Sequence, residues 1–312
     1  MSNLAYLYHD DCLLHDMAQE HPECPARISA IEDRMRMAHI FDFVRHYEAP
    51  PATRRQLARV HDLKYVDKIL NYGGSHEEYE HSYLDPDTII TPQTPQSAIR
   101  SAGAGAYATD LVMEGKARAA FCNVRPPGHH AVRNGAMGFC FFNNIAVAAS
   151  HAIHEHGLRR VAILDFDVHH GNGTEDIFHD DPRVLFGSTF QHPLYPFCGA
   201  DSSNEHIINM PLPAGTNGEK FRAALSEHWF PAVDKFKPEM LFISAGFDGH
   251  YDDDMSSFRL HAEDYVWATE QMLAMADKHC NGRIVSMLEG GYELHSLARS
   301  VVAHMKVLMR LG

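Results

Sequence analysis

The sequence predicts a single α/β domain built on a mainly parallel central sheet with helices on both faces. Three observations carry that expectation. Short apolar runs alternate with longer stretches of helical periodicity, the pattern of successive βα units. Conspicuous polar residues follow the runs at their carboxyl ends, where open α/β sheets bind ligands. No linker, internal repeat or low-complexity tract divides the 312 residues, a length that one large domain accommodates.

The elements follow in order. Leu4–Tyr8 reads as a first short strand. His21–Arg27 (HPECPAR) is a loop stiffened by Pro22 and Pro25, leading into a helix over Ile28–Ala38. Thr53–Val60 and Leu63–Tyr72 have helical periodicity, and the acidic stretch GGSHEEYEHSYLDPDT after them is too polar for a core and reads as a loop. The helix Ser97–Glu114, rich in Ala and Gly on one side, suits close packing on a sheet. The alternation then settles into strand Ala119–Val124, helix Asn143–Glu155, strand Arg160–Phe166, a short helix near Glu175 and strand Val184–Thr189. Helix Glu219–Phe236, strand Met240–Ala245, helix Ala262–His279, strand Arg283–Leu288 and helix Leu294–Leu311 complete it.

Composition excludes several function classes. A formal net charge of −14 argues against direct nucleic-acid binding, which needs clustered Lys and Arg. No apolar run approaches the roughly 18 residues of a membrane span. The first residues lack a basic region followed by an apolar one, so the expected compartment is cytoplasmic. Six cysteines spread through a chain of this size read as free thiols. Cys12-x-x-His15 and His21-x-x-Cys24 imitate a structural zinc spacing, but only five residues separate them and no finger-like helix follows.

Within Val161–Thr174 (VAILDFDVHHGNGT), a short strand delivers Asp165, Asp167, His169, His170 and Asn172 within eight residues. No packing requirement explains such a cluster. In an extended segment Asp167 and His169 leave the same face, so this reads as half of a metal site. Asp248, flanked by Gly246 and Gly249 after the run LFIS, is the natural third ligand. Two carboxylates and one imidazole leave a coordination position open, the mark of a catalytic metal. The donor set suits zinc first, with iron(II) possible in its place and cobalt or manganese also compatible.

His129 and His130 are consecutive in a Pro-stiffened loop, which suggests proton handling near neutral pH. Each imidazole needs an orienting partner, and Asp165 and Asn172 are available, one apiece. A His backed by a carboxylate holds its proton more tightly than one backed by an amide. This predicts His130 with Asn172 as general base and acid, and His129 with Asp165 as mainly electrostatic. Tyr292, after Gly290 and Gly291, is placed to donate its hydroxyl to an oxyanion.

In this order and spacing, RPPGHHA, GFCFFNN, LDFDVHHGNGT, SAGFDG and LEGGY resemble the zinc-dependent histone deacetylase superfamily, closest to its class II and bacterial amidohydrolase members. HPECPAR also resembles the class II first loop, and Asn172 stands where class I members carry Asp. The resemblance spans about residues 8 to 295. It implies the arginase/deacetylase-like fold, the metal ligands Asp167, His169 and Asp248, the tandem His129 and His130, and the tyrosine Tyr292. It further implies that Gly138, Phe139 and Tyr195 wall an acyl-lysine tunnel, that Met255 lines its mouth, and that Asp87 touches substrate at the rim. Structural potassium is implied at Asp165, Asp167, His169 and Ser188, largely through backbone oxygen.

The expected reaction is hydrolysis of acetyl or another short acyl group from the side-chain amine of acyl-lysine in proteins or peptides. The alternative substrate is an acetylpolyamine or other small acetylated amine. Family members acting on acetylpolyamines carry a long insertion for which the segment Tyr72–Thr94 looks too short. Two other classes compete. A non-catalytic acyl-amine binder has no need of both histidines, three ligands and Tyr292, and a dinuclear manganese ureohydrolase needs a second ligand set that GFDGH and DVHHGNG do not supply. Oligomeric state is not readable from the sequence.

Overall fold

Side chains that are apolar on both faces of a strand need cover on both faces, and the layers follow from that requirement. The computed structural model describes residues 3–18, 20–73 and 82–311. In chain order the strands are β1 (Leu4–Tyr8), β2 (Arg45–Glu48), β3 (Ser82–Asp85), β4 (Thr88–Ile90) and β5 (Ala119–Cys122), then β6 (Val161–Asp165), β7 (Val184–Gln191), β8 (Ile207–Leu212), β9 (Met240–Ala245) and β10 (Ile284–Leu288). The helices are α1 (Ala26–Met37), α2 (Arg54–Leu57), α3 (Leu63–Leu70), α4 (Thr94–Met113) and α5 (Asn144–Glu155), then α6 (Asn172–Phe178), α7 (Gly218–Ala224), α8 (Phe230–Phe236), α9 (Ala262–His279) and α10 (Leu294–Leu308).

Eight strands make one sheet in the order β2-β1-β5-β10-β9-β6-β7-β8, and every pairing in it is parallel. β5, β6, β9 and β10 are buried along their whole lengths. One apolar layer lies under α4 and α5, where Ala102, Ala104 and Ala108 are fully buried and let the helix sit close to the sheet. The other lies under α1, α9 and α10 and contains Trp229, Tyr265 and Leu297. Asn143 caps α5 by accepting a hydrogen bond from the backbone N–H of Ala146 at 3.0 Å, which fixes where that helix starts beneath the sheet edge.

The architecture is the predicted one, with local differences. β2 and β8 were not expected. The residues RHYE of β2 are largely exposed and carry no apolar period, while β8 contains Pro211; polar or proline-bearing strands belong at sheet edges, and both lie there. Part of the predicted acidic loop forms the antiparallel hairpin β3–β4, closed at Pro86 and Asp87, while residues 74–81 of that loop lie outside the described residues. The stretch Thr53–Val60 keeps only the single turn α2. The helix expected over Glu219–Phe236 is interrupted by a π turn at Leu225–Trp229, because Pro231 has no N–H for the α pattern and its ring needs the wider turn.

One consequence of the strand order matters for function. β5, β10, β9 and β6 are consecutive across the middle of the sheet. The segments that follow them carry His129 and His130, Tyr292, Asp248, and Asp167 with His169, so residues far apart in sequence leave neighbouring strands at one edge.

Candidate active site and metal centre

Asp165 ends β6, and the chain then turns through Asp167 and His169 toward α6. Asp167 Oδ1 and Asp248 Oδ2 each lie 3.1 Å from His169 Nδ1, and all three residues are buried. The carboxylates are aimed by backbone donors: His169 N to Asp167 Oδ1 at 2.9 Å, Gly290 N to Asp167 Oδ2 at 2.8 Å, and Val168 N to Asp248 Oδ1 at 3.0 Å. Gly290 must be glycine, because a Cβ there would collide with the Asp248 carboxylate. Burial and the neighbouring Asp167 push the Asp248 carboxyl up to about 6, while His129 and His169 hold Asp167 well below the usual range against the effect of burial. Two anionic oxygens and one imidazole nitrogen gathered around one buried point, with an excess of negative charge, are the donors a first-row divalent cation takes. The donor chemistry therefore fits zinc or iron(II).

The tandem histidines stand beside this point with ring centroids 4.0 Å apart. His129 Nδ1 is 2.9 Å from Asp165 Oδ2, and His130 Nδ1 is 2.7 Å from Asn172 Oδ1. Asn172 turns its amide N–H toward Met137 Sδ at 3.3 Å, so its oxygen faces His130, accepts the Nδ1 proton and leaves Nε2 free. Burial would lower both imidazoles. Asp165 and Asp167 overcome it at His129 and raise that group to about 10, so His129 is charged. At His130 burial and the positive His129 and His169 act together and drive the pKa far down, so His130 is neutral and able to accept a proton.

Tyr292 sits across the site. Desolvation raises its phenol well above 10 although Arg27, whose guanidinium carbon lies 4.9 Å from the ring centroid, pulls the other way. The phenol is therefore an O–H donor. Asp253 Oδ2 accepts from the backbone N–H groups of Tyr292 at 2.7 Å and Glu293 at 3.0 Å, which fixes the turn that presents the ring.

A cavity of about 200 Å³ ends on His130, His169 and Tyr292, and Asp87, Gly138, Phe139, Tyr195 and Met255 line it together with Leu194. Gly138 and Phe139 both have positive φ, +56° and +67°, and a Cβ on Gly138 would meet the His130 ring. Phe139 is held by its N–H to Thr88 Oγ1 at 3.0 Å, packs on His21 at 4.7 Å and meets the Tyr292 ring edge-on at 6.0 Å. The HPECPAR loop thus backs the Phe139 wall of the cavity. Tyr195 stands edge-on to His130 at 5.2 Å. Burial and Asp85 push the Asp87 carboxyl up to about 6. Ser188 pairs in register with Asp165, and its hydroxyl is 3.0 Å from His170 Nδ1.

The structure brings every predicted site residue to this edge of the sheet, but it does not gather Cys12, His15, His21 and Cys24. His15 bonds Thr94 at 2.9 Å and faces Glu23 at 3.6 Å, and the cysteines are free. Among the described residues, the groups of His, Cys, Asp and Glu close enough to share an ion are Asp167, His169 and Asp248, and Asp110, His151 and His156.

Comparison with known proteins decides the family. Residues 21–308 match the histone deacetylase domain. The chain belongs to the histone deacetylase family. A probable deacetylase of Archaeoglobus fulgidus is 37% identical over 296 residues, covering 92% of this chain and 81% of that protein. The human polyamine deacetylase HDAC10 is 33% identical over 323 residues, covering 98% of this chain and 48% of that protein. The crystal structure of the HDA15 HD domain superposes with a TM-score of 0.91 at 32% identity, covering 99% of this chain and 88% of that one. This histone deacetylase-family chain is therefore a hydrolytic deacetylase with the fold of that family.

Sequence reasoning missed the residues that brace this deacetylase site from behind. Arg27 donates to Gly291 O at 2.7 Å and to Glu289 O, and Glu23 bridges it to Arg125 through contacts of 3.1, 2.7 and 2.6 Å. Asn143 Nδ2 reaches Ala131 O and Thr174 Oγ1, both at 3.2 Å, under the tandem histidines. Buried Arg and Glu in HPECPAR and RPPGHH were the available signal, since such residues are rarely buried unless paired.

Proposed function

We propose that this deacetylase removes acetyl, or another short acyl group, from the side-chain amine of acyl-lysine in proteins or peptides. The observation that carries this reading is the cavity of about 200 Å³, walled by Phe139, Leu194, Tyr195 and Met255 and floored by His130, His169 and Tyr292. Its apolar walls suit a methylene chain, and its floor offers a proton acceptor beside a hydroxyl donor. Asp167, His169 and Asp248 would hold zinc, or iron(II) in its place. When bound, the ion polarises the acyl carbonyl and acidifies water.

In this mechanism neutral His130 takes the proton of the attacking water at Nε2, while Asn172 holds Nδ1–H and so fixes the reactive nitrogen. Charged His129, paired with Asp165, stabilises the negative charge that develops. Tyr292 donates its hydroxyl to the oxyanion, a contact worth about 3–4 kcal/mol by comparison with other oxyanion donors. His130 then returns the proton to the departing amine, and acetate and a free amine leave. Gly138, Phe139, Tyr195, Met255 and Asp87 act on the substrate. A structural potassium is proposed at Asp165, Asp167, His169 and Ser188, which lie at and just past the end of β6 and at the β7 position paired with Asp165.

A second reading, a small acetylated amine as substrate, is favoured by the Asp87 carboxyl lining the cavity, with Asp85 next to it, which would attract a second ammonium group. Hydrolysis of an acetyl-lysine fluorogenic peptide and of N-acetylputrescine by zinc-loaded protein separates the two. Preference for the peptide supports the first reading; preference for the polyamine replaces it with the second.

A further inference from the structure

We infer that Glu289 is a positioning residue that locks the tandem-histidine loop to the segment delivering Tyr292. The inference rests on the hydrolytic role given to His130 and Tyr292. β5 and β10 are neighbours in the sheet, but their pairing ends at Cys122 and Met287. Beyond that point no ladder holds the loop carrying His129 and His130 to the loop carrying Tyr292. Glu289 crosses the gap. Its fully buried carboxylate accepts from Gly128 N at 2.7 Å and His129 N at 3.1 Å through one oxygen, and from Ser244 Oγ at 3.0 Å through the other.

Four consecutive residues here each make a separate tie. The side chain of Glu289 holds the histidine loop, Gly290 N holds Asp167 at 2.8 Å, Gly291 O receives Arg27 at 2.7 Å, and Tyr292 N is held by Asp253 at 2.7 Å. Glu289 is the direct tie between the proton-transfer pair and the segment of the oxyanion donor; a longer route runs through three side chains, Arg27, Glu23 and Arg125. An apolar side chain of similar size would fill the space but leave Gly128 and His129 with buried, unpaired N–H groups, freeing the loop to shift. A displacement near 1 Å at such a pair is costly for turnover and nearly silent in binding.

Steady-state kinetics of Glu289→Ala and Glu289→Gln on whichever acylated amine the wild type hydrolyses, normalised to bound zinc, test this. In Glu289→Ala, kcat is expected to fall about 10- to 100-fold with KM within about threefold. Glu289→Gln should recover to within about threefold of wild type, because the amide oxygen accepts both N–H groups and its NH2 donates to Ser244. A Gln variant as slow as Ala with zinc retained, or an Ala variant with wild-type kcat per zinc, overturns the inference. If Glu289→Ala does not fold, the Gln result decides alone. Nitrogen-15 NMR of the His129 and His130 rings in zinc-loaded protein gives a readout free of turnover: shifts in Ala but not Gln support positioning, and unmoved rings in Ala reject it. Inactive wild type with the NMR pattern intact would instead overturn the deacylase assignment and spare this one.

Discussion

Among the described residues two groups bring three ligand-type side chains within 4.8 Å of one another, and they are opposites in charge balance. In Asp167, His169 and Asp248, two buried carboxylates face one imidazole nitrogen, which has at most one proton to offer them both. In Asp110, His151 and His156 the ratio is inverted. One carboxylate oxygen receives His151 Nε2 at 2.8 Å and His156 Nε2 at 2.7 Å, and Asp110 is one-third exposed (34%). Gln56 settles the tautomer of His151: its Oε1 is already engaged by Thr53 N at 2.8 Å, so its NH2 points at His151 Nδ1, 3.3 Å away. The Nε2 of His151 therefore carries the proton and aims it at Asp110. That second group is a hydrogen-bonded clamp between α4 and α5, whereas the first holds two carboxylates against a single imidazole and stays net negative. Proximity of ligands defines neither; the count of protons against lone pairs does.

The sharpest way to break this contrast is to remove a carboxylate from each. Asp248→Ala should lose the bound metal and lower turnover by at least about 10³-fold, while Asp110→Ala keeps one metal per chain and turnover within about twofold. Elemental analysis with an activity assay checks both, and loss of metal in Asp110→Ala would sink the distinction. Next in size, Tyr292→Phe should lower kcat by about 10²–10³-fold with metal content intact, since it deletes one oxyanion donor. Unchanged kcat would remove Tyr292 from the chemistry.

Stability gives the smaller effects. Asp110→Ala should cost about 1 kcal/mol, read as a lower urea midpoint, because its two hydrogen bonds are partly solvated. The pH dependence follows with a definite sign. Burial acts to raise the Asp110 carboxyl, but His151 and His156 hold it below 3.8. A group depressed in the folded state contributes stability above its unfolded value and loses it as pH falls through the folded one. The stability gap between wild type and Asp110→Ala should therefore narrow as pH falls from 4 toward 2; a gap that widens there contradicts the clamp.

The legible part of the fold was the part whose side chains advertise burial. β5, β6, β9 and β10 are apolar runs, and the polar residues after them have no packing role, so strands and candidate ligands were readable together. β2 and β8 were not, because edge strands need only half a ladder and tolerate Arg, Glu or Pro. The partner assignments for His129 and His130 followed from counting polar residues left over in one short motif. Glu289, Asn143 and Arg27 escaped because what they do depends on which strands are neighbours. No local pattern places β10 beside β5. Leu194 was invisible for a simpler reason, as an ordinary apolar residue ahead of an aromatic one.

The two rims of the sheet bear on colloidal behaviour. Its interior strands are continuous apolar runs of the kind that would template growth onto another chain if they lay at an edge. Instead one rim is β2, four residues with Arg45, His46 and Glu48 facing outward, and the other is β8, where Pro211 deletes a donor. The first rim is short and charged, and the second is interrupted by proline. The sheet is thus finite by construction, and the segments most prone to aggregate are kept among the six strands between its two rims.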